Sequence, residues 1–146
     1  RRARVLGIDG EKKMSKSLDN HIPFDATAKR TLKRVRQMFT DPQRATLEDP
    51  GRPELCNVYT FHGFFSNDAE REDISTRCPK AEIGCGECKT TLANNVNARL
   101  EPIREKYAEL SQRPDDVRDI LKSGADRLRP LAQATMEEVR RKVGLR

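Results

Sequence analysis

Two lysines and two serines in residues 13–17, Lys-Met-Ser-Lys-Ser, form one group whose types and spacing could do chemistry. When the α-phosphorus of a nucleoside triphosphate is attacked, negative charge builds on the departing pyrophosphate, and ammonium groups aimed at that charge lower the barrier. Lys13 and Lys16 carry compact charges on long stems, and Ser15 and Ser17 add hydroxyl donors. The segment predicts a phosphate-binding loop, with a flexible basic surface loop as the plain alternative.

The chain's four cysteines, Cys56, Cys78, Cys85 and Cys88, form a second group, with the spacing C-x21-C-x6-C-x2-C. The Cys-x-x-Cys pair and the cysteine before it let three thiolates converge from one short segment, and the fourth must come from a separate helix. Four thiolates suit tetrahedral Zn²⁺ or a [4Fe–4S] cluster equally well. Free thiols and disulfides remain as alternatives.

The composition indicates a helical chain with a thin aliphatic core. Charged residues make up 36%, aromatic residues 5%, and Trp is absent, a balance that helices with one apolar stripe accommodate better than a sandwich. The sequence contains no apolar stretch of membrane-spanning length and no signal-peptide core. We therefore expect a cytoplasmic chain with reduced thiols, which disfavours disulfides.

Positive charge is concentrated in the first 44 residues, which hold 12 Lys or Arg against five Asp or Glu. A helix is predicted over residues 26–39, with Asp25 as its N-cap. Its polar face carries the basic side chains of Lys29, Arg30, Lys33, Arg34 and Arg36. This face is either a contact for a phosphate backbone or simply a solvated surface.

Apolar periodicity predicts further helices after a proline-rich loop over 41–53. One begins near Pro53 and carries His62, which we expect to be a packed core histidine, and a short helix follows within 66–76. Residues 78–88 are predicted to be a loop. Two long helices complete an antiparallel helical bundle, and Pro102 and Pro130 should bend or divide them.

The start of the chain is predicted to be the end of a domain that lies upstream. There is no initiating Met, and Val5 to Ile8 resemble a strand end with no sheet beside it. Gly7 and Gly10 are expected to give the following loop its hinge freedom. The predicted division places the end of a catalytic domain at 1–23 and a helical domain at 24–146, with the cysteines between 56 and 88.

Residues 13–17 are identical to the second signature of class I aminoacyl-tRNA synthetases. Longer stretches resemble the tryptophanyl branch of that family. They are Gly7-Ile8-Asp9-Gly10, Ser17-Leu18-Asp19-Asn20, Thr40-Asp41-Pro42, Asp49-Pro50-Gly51-Arg52-Pro53, Cys56-Asn57-Val58-Tyr59, Gly84-Cys85-Gly86-Glu87-Cys88-Lys89 and Leu100-Glu101-Pro102-Ile103-Arg104-Glu105. The tyrosyl enzymes are the nearest alternative, and the cysteine-rich stretch argues against them.

The resemblance implies an ATP-dependent ligase that activates tryptophan and transfers it to tRNA(Trp), with Mg²⁺ expected beside ATP. Lys13 and Lys16 would contact the ATP phosphates, Lys16 would stabilise the transition state, Ser15 and Ser17 would assist, and the backbone near Met14 would lie against the adenine. The family's His-Ile-Gly-His-type signature, on a Rossmann domain, is not in this sequence. The chain alone is therefore expected to be inactive, and the full-length enzyme to be a homodimer.

The same resemblance favours a [4Fe–4S] cluster, because some bacterial tryptophanyl enzymes hold one on cysteines whose first gap is about one residue longer, a change that a loop absorbs. It also implies that the helical domain binds the anticodon of tRNA. Arg77, Lys80 and Lys89 flank the cysteines and are candidates for RNA contact. A second hypothesis is a non-catalytic helical module that binds RNA or senses redox state.

Overall fold

The computed structural model describes residues 4–145, and in them the chain is mainly helical. The helices are α1 (Ala28–Arg36), α2 (Asn57–Phe65), α3 (Asp68–Arg77), α4 (Cys85–Ser111) and α5 (Pro114–Lys142), and a short 3₁₀ helix (Pro53–Leu55) precedes α2. No β-sheet occurs within the described residues. A single antiparallel bridge joins Leu6 to Lys13, so the predicted strand end is one side of a tight hairpin. Residues 1–3 and 146, including the arginine pair that opens the chain, lie outside the described residues.

Helix α1 is shorter than the predicted helix over 26–39. Thr27, rather than Asp25, is its N-cap, and the Thr27 hydroxyl accepts a hydrogen bond from the backbone N–H of Arg30 at 3.3 Å, satisfying an N–H that the first turn leaves free. The helix ends at Arg36. Further on, the N–H of Phe39 donates to the carbonyl of Ile8 at 2.8 Å, so a tertiary contact replaces a helical one.

Helix α4 begins inside the segment that the sequence predicts to be a loop. The N–H of Cys88 donates to the carbonyl of Gly84 at 3.0 Å, so helical hydrogen bonding starts at once and the loop contracts to residues 78–84. Cys85 and Cys88 therefore lie on the first turn of a helix. Neither Pro102 in α4 nor Pro130 in α5 divides its helix.

The structure forms two compact units, residues 1–104 and residues 105–146. The core of the first unit is mostly aliphatic, as predicted. It is built from the hairpin, α1, α2 and the first half of α4, and its buried residues are Ile8, Ile22, Val35, Met38, Val58, Phe61, Leu92, Ala93, Val96 and Leu100. This unit contains both groups of candidate functional residues. The predicted boundary after residue 23 remains a prediction.

The second unit contains α5, and no residue of α5 is buried. The apolar stripe that predicts a packed bundle is exposed, with Leu121 at 68% and Leu128 at 63% of full exposure. The prediction of a mainly helical chain is confirmed, and the antiparallel bundle stays a prediction. No helix within residues 4–145 combines the length and apolar character that crossing a membrane requires.

Candidate phosphate loop and cysteine site

The candidate phosphate loop follows a tight hairpin. The N–H of Gly7 donates to the carbonyl of Lys12 at 2.8 Å, and the N–H of Met14 donates to the carbonyl of Val5 at 3.0 Å. Asp9 closes the turn, since its Oδ1 accepts from the backbone N–H groups of Glu11 and Lys12, each at 3.0 Å. Backbone pairing therefore fixes the start of the Lys-Met-Ser-Lys-Ser segment.

Asn20 holds the other end of the loop. Its Oδ1 accepts from the N–H of Ser15 at 2.7 Å, and its Nδ2 donates to Asp9 Oδ2 at 2.7 Å and to the Lys13 carbonyl at 3.2 Å. The hydrogen bond from Asn20 is the main reason that the pKa of Asp9 is lowered. Asn20 is only 4% exposed, so one buried amide ties the hairpin to both sides of the loop.

Gly7 differs from the predicted hinge role. A Cβ at this position would lie 2.2 Å from Asn20 Nδ2, so glycine is required by close packing rather than by mobility. Gly10 does use the conformational freedom of glycine, because its φ is +74°, in the left-handed region that side chains disfavour. The two glycines thus shape a fixed turn.

The loop presents its two candidate lysines to solvent. Lys13 and Lys16 are exposed, and within residues 4–145 neither has a carboxylate at ion-pair distance. The hydroxyls of Ser15 and Ser17 lie 2.8 Å apart. Met14 packs against the core. The arrangement gives two unpaired cations and two hydroxyls on an anchored backbone, which can bind a polyanion.

Two helices fix the loop from outside. Arg34 of α1 donates from Nε to the carbonyl of His21 at 3.0 Å and forms an ion pair with Asp19 at 3.1 Å. Asn57 of α2 donates from Nδ2 to the carbonyl of Gly7 at 2.8 Å. Arg34 is therefore engaged by the loop, and it does not belong to the free basic face that the sequence predicts.

The remaining basic residues of α1 form an exposed face. Lys29, Arg30, Lys33 and Arg36 line a groove of about 740 Å³. The groove is open and lined by basic side chains. A phosphate contact on this face stays a prediction, with a solvated surface as its alternative.

The four cysteines converge on one small cavity of about 20 Å³. Cys56 immediately precedes α2, Cys78 immediately follows α3, and Cys85 and Cys88 lie on the first turn of α4. All four are free thiols. Burial raises the pKa of Cys88 to about 12, with further contributions from the charges of the other three sulfurs. In the described part of the chain, no three or more His, Cys, Asp or Glu side chains are arranged to hold a metal ion.

A loop between α1 and the 3₁₀ helix covers this cysteine site. Arg44 donates from Nη1 to Cys78 Sγ at 3.6 Å and from Nη2 to the Leu47 carbonyl at 3.3 Å. A Cβ at Gly51 would lie 2.4 Å from Cys78 Sγ. Burial is the main cause that raises the pKa of Cys78, and the charge of Arg44 opposes it.

An ion pair braces the same loop. Arg52 donates from Nε to Asp41 Oδ2 at 2.8 Å and from Nη2 to Asp41 Oδ1 at 2.5 Å. Such two-point contacts fix geometry as well as charge. Arg52 holds the pKa of the buried Asp41 carboxyl well below its usual range.

His62 is fully buried, as the prediction of a core histidine requires, but it also contacts the cysteine site. Its Nε2 lies 3.2 Å from the carbonyl oxygen and 3.4 Å from the Sγ of Cys88, and its Nδ1 lies 2.6 Å from Ser66 Oγ. Burial is the main cause that lowers its pKa.

The three residues predicted for RNA contact do not form one free cationic patch. Arg77 pairs with Asp73 at 3.1 Å and with Glu87 at 3.4 Å. Lys89 donates to the carbonyl of Arg36 at 2.9 Å, at the end of α1. Lys80 is exposed. Their role in RNA binding remains a prediction.

Sequence reasoning missed the residues that position the two sites, chiefly Asn20, Asn57, Arg44 and His62. Asn20 and Asn57 lie within stretches of family resemblance, which is a weak signal. Nothing in the sequence pairs Arg44 with Cys78 across 34 positions.

The chain that carries both sites is similar in sequence to known proteins. Residues 4–101 match the family described as tRNA synthetases class I (W and Y). The chain is 40% identical over 143 residues to the tryptophan–tRNA ligase of Aquifex aeolicus, covering 97% of this chain and 36% of that protein. It is 37% identical over 143 residues to the tryptophan–tRNA ligase of Thermotoga maritima, covering 97% of this chain and 43% of the relative.

Solved structures agree with this match. The crystal structure of tryptophanyl-tRNA synthetase from Campylobacter jejuni, complexed with ADP and tryptophane, superposes with a TM-score of 0.82 at 36% identity, over 98% of this chain and 44% of that one. The enzyme from Aeropyrum pernix gives a TM-score of 0.60 at 31% identity, over 66% of this chain and 28% of that one. The chain thus spans less than half the length of these relatives.

Proposed function

The chain belongs to the class I tRNA synthetases of the tryptophan and tyrosine group, and from that premise we propose that it is part of a tryptophan–tRNA ligase. In the proposed reaction the tryptophan carboxylate attacks the α-phosphorus of ATP and pyrophosphate leaves. The tRNA(Trp) ribose hydroxyl then attacks the adenylate carbonyl and AMP leaves. Similarity to tryptophan–tRNA ligases over 97% of the chain supports this choice of amino acid.

The observation that carries the proposal is the exposed pair Lys13 and Lys16 on an anchored loop. Their ammonium groups meet the β- and γ-phosphates of ATP, bound with Mg²⁺, and Lys16 follows the charge onto the departing pyrophosphate. Ser15 and Ser17 donate hydroxyl hydrogen bonds to phosphate oxygens, and the Met14 backbone borders the adenine. Because Asn20 already fixes the backbone of the loop, the loop loses little conformational entropy when it binds phosphate.

The test is tryptophan-dependent ATP–pyrophosphate exchange, measured in protein that carries this chain together with the family's nucleotide-binding domain. We expect Lys13→Ala and Lys16→Ala each to lower kcat by about 10²–10³-fold, the range for losing one transition-state donor. Lys12→Ala is the matched control, because Lys12 is also exposed and immediately precedes Lys13. Undiminished exchange in the double variant would remove the basis of the proposal.

We also propose that Cys56, Cys78, Cys85 and Cys88 hold a [4Fe–4S] cluster. The support for this proposal is chemical: all four thiols line one small cavity, and soft sulfur ligands are what such a cluster takes. In the described residues, however, the side chains are not arranged as a metal-binding group. When bound, the cluster would tie the start of α2, the end of α3 and the start of α4 together. Arg44 would offset negative charge at Cys78. Zinc is the alternative occupant of the same thiols.

Anaerobic purification followed by a visible absorption spectrum and by iron, sulfide and zinc analysis decides the occupant. We expect a broad iron–sulfur band, and we expect Cys85→Ser to lose it, with Lys80→Ala as a nearby surface control. Stoichiometric zinc without iron would contradict the cluster while leaving the ligase proposal intact.

The proposed partner is tRNA(Trp), with the cysteine site and the groove of α1 facing RNA, in a homodimer of the full-length enzyme. The competing function is a non-catalytic RNA-binding or redox-sensing module. RNA binding without any exchange activity, in protein that includes the nucleotide-binding domain, would favour that module.

A further inference from the structure

Arg34 of α1 contacts the segment that leads out of the candidate phosphate loop. Its Nε donates to the carbonyl of His21 at 3.0 Å, and its Nη2 donates to the carbonyl of Asp19. The same Nη2 forms an ion pair with the Asp19 carboxylate at 3.1 Å. Val35, the next residue of α1, is fully buried in the core, so the guanidinium extends from an element that the core fixes.

Asp19 links Arg34 to the second lysine of the loop. Residues 16–19 form a turn, in which the N–H of Asp19 donates to the carbonyl of Lys16 at 3.1 Å. Asp19 has a φ of +46°, in the left-handed region that L-residues disfavour. Such a conformation persists only where surrounding contacts enforce it. The hydrogen bonds from Arg34 to the carbonyls of Asp19 and His21 supply such contacts.

The contacts of Arg34 with the backbone should matter more than its ion pair. The side chain of Arg34 is 16% exposed, whereas that of Asp19 is 82% exposed. An ion pair with so exposed a carboxylate contributes little, because water screens it. Hydrogen bonds from a largely buried guanidinium to two carbonyls are charge-assisted and directional, and they fix the backbone itself.

We propose that Arg34 is a positioning residue for Lys16, acting through the carbonyls of Asp19 and His21. By fixing the turn that begins at Lys16, Arg34 keeps the ammonium group of this lysine where the reaction needs it. The inference rests on the proposed function, in which Lys16 stabilises the departing pyrophosphate. Arg34 itself contacts no substrate in this role.

The first experiment measures tryptophan-dependent ATP–pyrophosphate exchange in protein that also carries the family's nucleotide-binding domain. We expect Arg34→Gln to lower kcat about 10- to 100-fold, the scale of misplacing a catalytic group, with the KM for tryptophan unchanged. Arg34→Lys keeps a cationic donor and should lose less. Arg99→Gln, at an exposed position of α4, is the matched control. Equal kcat in Arg34→Gln and Arg99→Gln would overturn the proposal.

Combining Arg34→Gln with Lys16→Ala separates positioning from a general structural role. If Arg34 acts through Lys16, then Arg34→Gln should lower kcat by less than about 2-fold in the Lys16→Ala background, since residues that act as a unit are not additive. Losses that multiply would show that the two residues act independently, and they would overturn the proposal.

Two variants of Asp19 test whether the backbone carries the effect. Asn tolerates the left-handed region and has no charge, so Asp19→Asn should keep kcat within about 3-fold of wild type. Asp19→Val places a β-branched residue in that region, and kcat should fall about as far as in Arg34→Gln. A loss in Asp19→Asn as large as that in Arg34→Gln would assign the role to the ion pair and contradict the proposal.

Hydrogen exchange at the N–H of Asp19 tests the same contact without catalysis. In Arg34→Gln it should accelerate about tenfold or more, the effect of losing a hydrogen bond from a charged donor, while the core amides of residues 92–100 stay protected. Unchanged exchange at Asp19 would overturn the proposal. If the wild type shows no ATP–pyrophosphate exchange, the proposed ligase function fails, while this measurement still decides whether Arg34 fixes the turn at Lys16.

Discussion

At the scale of single residues, the loop depends on a buried amide as much as on its lysines. Asn20 uses both atoms of its amide group to join Ser15, Asp9 and the Lys13 carbonyl. Lys13 and Lys16 supply charge, but a charge is useful to a transition state only where the backbone beneath it is fixed. The amide thus supports the function that we propose for the two lysines.

Replacing Asn20 with alanine should destabilise the chain by about 1–3 kcal/mol, because buried partners lose their hydrogen bonds. Urea unfolding measures the loss, and hydrogen exchange at the Ser15 N–H should accelerate. Asn94→Ala, at an exposed position of α4, is the control and should stay within about 0.5 kcal/mol of wild type. An equal effect in both variants would contradict the role given to Asn20.

Burial of Cys88 makes the metal-free chain sensitive to alkali. Its pKa is raised to about 12, against about 8.5 in an unfolded chain. Because the pKa of the Cys88 thiol is higher in the folded state, this thiol loses its proton at a lower pH in the unfolded chain than in the folded one. The contribution of the neutral Cys88 thiol to the free energy of unfolding is therefore complete below about pH 8.5. It is lost as the pH rises from there through the pKa of this thiol in the folded chain.

We accordingly expect the free energy of unfolding of metal-free protein to decrease between about pH 8.5 and pH 11. Chemical unfolding at several pH values measures it. In Cys88→Ala the decrease should be smaller, and identical pH profiles for the two proteins would show that this thiol is not responsible.

At the scale of elements, the cysteine site is made where three helix ends meet under a loop. The end of α3 and the starts of α2 and α4 supply the sulfurs, and residues 41–53 supply the cover. The cover fits closely, since Gly51 lies under Cys78 and donates its N–H to the Cys78 carbonyl at 3.0 Å. The site therefore depends on how the loop packs as well as on the cysteines.

Gly51→Ala should displace the cover, because the added Cβ would lie 2.4 Å from Cys78 Sγ. Overpacking of this kind costs about 1–3 kcal/mol, and we also expect weaker metal retention. Gly86→Ala is the matched control: it lies between two of the cysteines, and its Cβ meets nothing within 4 Å. Thermal unfolding and metal content should separate the two variants, and an intact site in Gly51→Ala would contradict the packing argument.

At the scale of the whole molecule, burial is confined to one part of the described chain. Every buried residue of the core lies at or before Leu100, and α5 has none. The free energy of folding comes mainly from buried apolar surface. The stability of this chain should therefore depend on residues 4–104.

Ending the chain at Arg113, which removes α5, should leave the unfolding temperature within a few degrees of wild type, since about 1 kcal/mol corresponds to about 4–8 °C in a domain of this size. Calorimetry measures it, together with hydrogen exchange across Leu92 to Leu100. Loss of cooperative unfolding after the truncation would show that α5 contributes to the core.

The sequence predicted the helical class because apolar residues recur at helical spacing, and it marked the loop and the cysteines as candidate sites because their chemistry is local. Its errors have local causes as well. Gly84 and Gly86 suggested a loop, but hydrogen bonding from Cys88 to Gly84 starts α4 there. Asp25 suggested an N-cap, but Thr27 was the residue in position to accept from Arg30.

By itself, then, the sequence determined which side chains are candidates for binding phosphate or metal, because type and short-range spacing are properties of the chain. Only the tertiary structure decided what holds them: Asn57 on Gly7, Arg44 on Cys78 and His62 on Cys88. These partners lie 26 to 50 positions apart. No local pattern encodes such pairs, because they form only when separate helices pack around one core.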